Sequence, residues 1–282
     1  MIYNMNSEYF FLAPNSIKKT ICYLLLFFCI SDVTAQSSKE DMRQLIDRQY
    51  KLAEKQYRIL ASNTPIGRMP KTFYAKSNKF ETSDTKWWCS GFYPGSLLYI
   101  YEYTKDETTL KEAELRLASL AKEKHYTGNH DLGFMMYCSF GNAYRLNKKP
   151  EYKTTIDTAA ASLTTRYRPD ARVIQSWNSS KKWKGPVIID NLMNLELLLW
   201  VAQNGGDQKY KEVALNHADA TLANHFRPDF SSYHVVDYDM SNGNIIKKGT
   251  AQGASDSSAW SRGQGWALYG YTLMYRFTKD KR

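Results

Sequence analysis

"HDLGFMMYCSFGNAYRLNKKPEYKTTIDTAAASLTTRY", residues 130–167, is the stretch whose pattern decides the fold. After Asp131, apolar residues recur at Leu132, Met135, Met136, Phe140, Ala143 and Tyr144, the spacing of a helix that is apolar nearly all round. Gly133, Ser139 and Gly141 keep that helix thin enough for neighbours to approach. A short polar turn, "NKKP", follows. The next run has a single polar face and reads as an amphipathic helix. The unit is therefore a hairpin with an inner and an outer member.

The same unit recurs on both sides. "GFYPGSLLYIYEYT" precedes "KDETTLKEAELRLASLAKEK", and "IDNLMNLELLLWVAQ" precedes, across "NGGD", "QKYKEVALNHADATLANHF". "SRGQGWALYGYTLMYRFT" is another apolar helix, followed by "KDKR". Repeated inner and outer helices predict an all-α chain of the α/α toroid class. Residues 36–62 read as a leading helix and residues 63–86, with Pro65, Gly67 and Pro70, as an irregular loop. The long loops 168–187 and 227–260 fall on one rim, where sites are built. Strand content is expected to be low, with one short hairpin around "SNGN".

Residues 1–35 read as a signal peptide: Lys18 and Lys19, the run "ICYLLLFFCI", then small residues ending at Ala35. The apolar run is short for a membrane span. The expectation is an exported, periplasmic protein with no stable span once the signal is removed, and one α/α catalytic domain over residues 36–282. The formal charge is +10, and Lys18 and Lys19 balance Glu8 and Asp32, so the excess lies beyond residue 35. A basic balance favours anionic partners. No basic helix or zinc-finger spacing points to nucleic acid, and an acidic polysaccharide suits an exported protein better. The 21 Tyr and 7 Trp supply rings of the kind that line sugar sites. Cys89 and Cys138 each sit in a hydrophobic segment and read as two buried free thiols. No CxxC, HExxH or clustered histidine pattern suggests a metal.

Asp131 and Asp190 occupy equivalent places, each just before an apolar helix. Taken singly, each reads as an N-terminal helix cap. Taken together, two carboxylates at the same rim converge on one cavity mouth, and paired carboxylates serve general acid/base work on sugars. Val187, Ile188 and Ile189 precede Asp190, and apolar surroundings raise a carboxyl pKa. Trp88, Trp260 and Trp266 offer stacking faces, and Arg262 a fork for a carboxylate. His234 and Gln252 lie in the long loop. Each has a plainer reading: core tryptophans, a solvated loop histidine, a surface Arg262–Asp256 pair.

The blocks "WWCSGFYPGSLLYIYE", "HDLGFMMYCSFGNAY", "IIDNLMNLELLLW" and "SDSSAWSRGQGWALYGY" resemble, in order, those of the unsaturated glucuronyl hydrolases, glycoside hydrolase family 88. The resemblance implies an (α/α)6 barrel without metal or organic cofactor. It implies removal of the unsaturated 4,5-ene glucuronyl residue that polysaccharide lyases leave on glycosaminoglycan oligosaccharides. An acid protonates C4, water adds at C5, and the hemiketal opens and expels the aglycone. Block matching gives Asp190 the acid/base role and Asp131 the second carboxylate role, supported by His130. It places Trp88, His234, Gln252, Trp260, Arg262 and Trp266 around the uronate. Alternatives are an unsaturated rhamnogalacturonyl hydrolase, an ordinary inverting glycosidase, or an inactive glycan-binding fragment. A twelve-helix barrel exceeds the eight or so helices legible here. The sequence thus reads as C-terminally incomplete, with exposed apolar faces on its first and last inner helices. Oligomeric state and the preferred glycan are not legible.

Overall fold

A computed structural model describes residues 41–282; the expected signal peptide lies outside them. The described residues fall into two units, 41–53 and 54–282. Residues 41–63 are helical (α1). In the first unit the described residues, 41–53, hold an exposed Lys51–Asp47 pair at 2.8 Å.

The second unit is built from α/α hairpins. Its inner members are α2 (Phe92–Thr104), a π-helical segment Gly133–Gly141 that runs into α4 (Asn142–Leu146), α6 (Asn191–Gln203) and α8 (Ser261–Thr278). Outer members are α3 (Glu107–Leu120), α5 (Pro150–Thr164) and α7 (Lys209–Asn224). Successive inner helices pack side by side and each outer helix covers its inner partner. This is the all-α, α/α toroid architecture that the hairpin pattern predicts, of the (α/α)6 class that the resemblance implies. No described helix is long and apolar enough to cross a membrane.

Inner helices are apolar because both flanks are occupied. On α6, Leu192, Leu195, Leu197 and Leu198 are all fully buried, each worth about 1.5–3 kcal/mol over an exposed position. Their axes approach at glycines. A Cβ on Gly95 would lie 2.4 Å from the Cys138 carbonyl oxygen, and one on Gly270 2.5 Å from Leu192 Cβ. Where no inner neighbour follows among the described residues, apolar side chains stay exposed: Phe92 and Tyr99 on α2, Leu268 and Tyr275 on α8.

Residues 63–86 are not the irregular loop expected. They contain an antiparallel hairpin, β1 (Met69–Tyr74) and β2 (Lys79–Ser83). Its register was hidden because the exposed strands alternate weakly. The hairpin's root is tied down by Arg116, buried on α3, which donates to the carbonyls of Thr64, Pro65 and Arg68 and pairs with Glu112 at 2.7 Å.

The other strands lie at the rim. β3 (Tyr167–Arg168) pairs with β4 (Val173–Ile174). β5 (Pro186–Ile188), β6 (Val235–Tyr238) and β7 (Ile245–Gly249) form one antiparallel sheet. The β6–β7 turn is the expected one at "SNGN", with Gly243 at φ 75°. β5 and its neighbours exceed the single hairpin expected. Cys89 and Cys138 are free thiols, as expected, though partly accessible rather than buried.

Candidate active site

The start of α6 and the end of β5 are separated by Ile189 and Asp190 alone. The Ile189 amide donates to the His234 carbonyl at 3.0 Å, just before β6 begins. The sheet register therefore sets Asp190 beside His234. On the neighbouring strand-like segment, Asn129 bridges to Trp177, and the His130 amide donates to the Ser176 carbonyl at 3.0 Å. This delivers His130 and Asp131 to the same rim. Together they line a cavity of about 190 Å³ with Trp88, Asn129, Ser176, Trp177, Ile188, Gln252 and Arg262.

Neither aspartate caps its helix. Asp190 stands at the N-cap position of α6 without a side-chain cap bond. The π-helical segment likewise has no side-chain cap from its own N-cap residue, and Asp131 uses its carbonyl, not its carboxyl, to accept Met135 N–H at 2.9 Å. Both carboxyl groups are left for the cavity. Burial, opposed weakly by His130 and Arg166, raises the pKa of Asp131. Burial first, with the charge of Asp131 adding to it, pushes Asp190 up to about 7. Its Oδ2 is buried without a hydrogen-bond partner.

Each carboxylate has a histidine. His130 Nε2 lies 3.3 Å from Asp131 Oδ1, and burial lowers its pKa. His234 Nε2 lies 3.6 Å from Asp190 Oδ2. The Nδ1 of His234 accepts the backbone N–H groups of Ala251 (3.1 Å) and Gln252 (3.2 Å). A nitrogen that accepts two N–H bonds carries no proton, so the neutral ring holds its hydrogen on Nε2, facing Asp190. Burial pushes His234 down to about 4, which keeps the ring neutral. It is a buried residue, not a solvated loop histidine, and its ring meets that of Trp260 at 4.3 Å between centroids, tilted by 35°.

Arg262 does not pair with Asp256, which instead accepts the Thr250 amide at 2.7 Å. The guanidinium donates to Gln252 Oε1 at 2.6 Å and lies 4.5, 5.0 and 5.5 Å from the rings of Trp260, Trp266 and Trp88. Trp266 also meets Trp88 edge-on at 6.0 Å. An aromatic cage around a guanidinium without an ion-pair partner among the described residues suits a planar anion.

All nine residues singled out in the sequence meet in this one region. Residues 65–282 match the profile of Glycosyl Hydrolase Family 88. The chain belongs to that family. It is 39% identical over 253 residues to an unsaturated glucuronyl hydrolase of Formosa agariphila, covering 88% of this chain and 62% of the relative. It is 36% identical over 251 residues to an unsaturated chondroitin disaccharide hydrolase of Streptococcus pyogenes serotype M1, covering 86% and 60%. A crystal structure of an unsaturated glucuronyl hydrolase specific for heparin superposes with a TM-score of 0.79 at 39% identity, covering 83% of this chain and 62% of that one. The chain thus spans about three fifths of the length of these family members.

Sequence reasoning missed Asn129, Ser176, Trp177 and Ile188 as lining residues. Trp177 was legible only as an aromatic in a long loop. The Asn129–Trp177 bridge that brings it to the cavity pairs positions 48 apart and leaves no periodic trace. A larger groove of about 530 Å³ between α7 and α8 is lined by Leu222, Leu268, Tyr271 and Tyr275, and among its charged residues Asp219 and Asp280 both pair with Arg282.

Proposed function

We propose that this site removes the unsaturated 4,5-ene glucuronyl residue from lyase-generated glycosaminoglycan oligosaccharides by hydrating its C4=C5 bond. The observation that carries the reading is Asp190: a carboxyl held by burial near pKa 7, unpartnered at Oδ2, in a cavity with a second carboxylate and an aromatic-caged arginine. A proton donor to carbon must hold its proton near neutrality. Asp190 donates to C4. The carboxylate left behind takes a proton from water as its hydroxyl adds to C5. The hemiketal so formed opens to a C5 ketone and C1 releases the aglycone. Asp131, steadied by His130, accepts bonds from the sugar hydroxyls. Arg262 and Gln252 take the uronate carboxylate, and Trp88, Trp260 and Trp266 wall its ring. His234 Nε2–H faces Asp190 and stabilises the carboxylate after transfer.

The ultraviolet absorbance of an unsaturated chondroitin or heparin disaccharide tests this. Loss of the band on adding the 282-residue chain supports the reading. Retention of the band with saturable binding marks a glycan binder. Consumption only of a pectin-derived unsaturated disaccharide moves the activity to rhamnogalacturonyl substrates. The basic lead-in and apolar run before Ala35 support export to a periplasm, and protein that stays in the cytoplasmic fraction with Met1 intact would refute it.

A further inference from the structure

The segment after Asp131 begins with orphan amides, as every helix does, and Asp131 leaves them alone. Asn194, one turn into α6 and fully buried, accepts Phe134 N–H through Oδ1 at 2.9 Å. Its Nδ2 turns back to the Asp190 carbonyl at 3.4 Å. One amide thus touches both backbones that carry the site carboxylates. The contact requires Gly133: a Cβ there would lie 2.5 Å from Asn194 Cα and 2.7 Å from its Oδ1. A polar side chain at an inner-helix crossing is unnecessary for packing, since Leu192 and Leu195 on either side already fill the core.

We propose that Asn194, seated against Gly133, is a positioning residue that sets the separation of Asp131 and Asp190. The proposal rests on the catalytic reading above. By capping the π-helical segment from across the interface, Asn194 releases the Asp131 carboxyl from capping. It also holds the two acids close enough for one charge to bear on the other. The groups facing Asp190 are Asp131 from the π-helical side, His234 from the residue preceding β6, and Arg262 from α8. Of these, Asn194 controls the distance to Asp131 alone.

The test follows the Asp190 carboxyl by ¹³C NMR in chain labelled at aspartate, with Asp190→Asn assigning the signal. In Asn194→Ala and Gly133→Ala the carboxylates drift apart and water enters. The Asp190 titration and the basic limb of the kcat profile both move to lower pH, by about 0.5 pH unit or more. At pH 7, kcat falls roughly 10- to 100-fold, with KM held within about twofold. A folded variant with the parental Asp190 titration overturns the proposal, whatever its rate. So does fast exchange of the Phe134 amide in the parent, which needs no variant to fold. If the titration moves but the parent never consumes the double bond, the positioning role stands and the catalytic reading falls.

Discussion

Asp131 and Asp190 stand at the same place on successive inner helices, yet their surroundings differ. Asp131 is gripped: His130 touches it at 3.3 Å, and Arg166 adds a favourable charge. Asp190 lacks such a grip: the charge of Arg262 favours its ionised form, but Oδ2 has no hydrogen bond and faces a neutral imidazole at 3.6 Å. Both are raised by burial. Of the two, only Asp190 has a buried carboxyl oxygen with no hydrogen-bond partner, the open position a proton donor needs. Equivalent positions in a repeat thus acquire different chemistry from what the rim loops place beside them.

The largest test of this asymmetry is Asp190→Asn. It should cost about 10³–10⁴-fold in kcat while leaving ligand binding intact; near-parental turnover would remove Asp190 from the acid role. Next, Arg262→Ala should raise KM by the equivalent of about 2–4 kcal/mol, read from initial rates on an unsaturated disaccharide. An unchanged KM would make Arg262 a structural partner of Gln252. Histidine burial gives a stability prediction. Burial pushes His217 and His225 down to about 3 from an ordinary 6.5. Below 6.5 the unfolded chain binds protons that the folded one refuses. Stability is therefore full above 6.5 and falls as pH drops towards 3, by about 1.4 kcal/mol per histidine per pH unit. Urea midpoints at pH 7 and pH 5 check this, and equal midpoints contradict it. The donor role has the opposite sense: with Asp190 near 7, kcat should hold below neutrality and fall about tenfold per pH unit above it. The smallest effect is expected at Trp177, where Trp177→Ala should raise KM about 5- to 10-fold through lost stacking, measured in the same assay.

Much of the site was legible because its residues flank periodic segments. Asp131 and Asp190 stand where helical apolar spacing begins, and Trp260, Arg262 and Trp266 cluster at the start of α8. Ser176, Trp177 and Asn129 were not, because they reach the cavity by cross-rim pairing between distant loops. The β1–β2 hairpin was missed for a related reason: exposed strands need no strict alternation. Nothing local in "IDNLMNLELLLW" says that Phe134 lies opposite Asn194.

By itself the sequence determined the alternation of inner and outer helices, because the amount of apolar surface on a helix dictates how many neighbours must cover it. It also determined which residue types could carry acid chemistry. Tertiary structure alone decided which of two like-placed aspartates stays unpartnered, which nitrogen of His234 holds the proton, and how far apart the acids sit. Those outcomes rest on hydrogen bonds between segments tens of residues apart, whose geometry exists only once the helices have packed at Gly133 and the rim strands have paired.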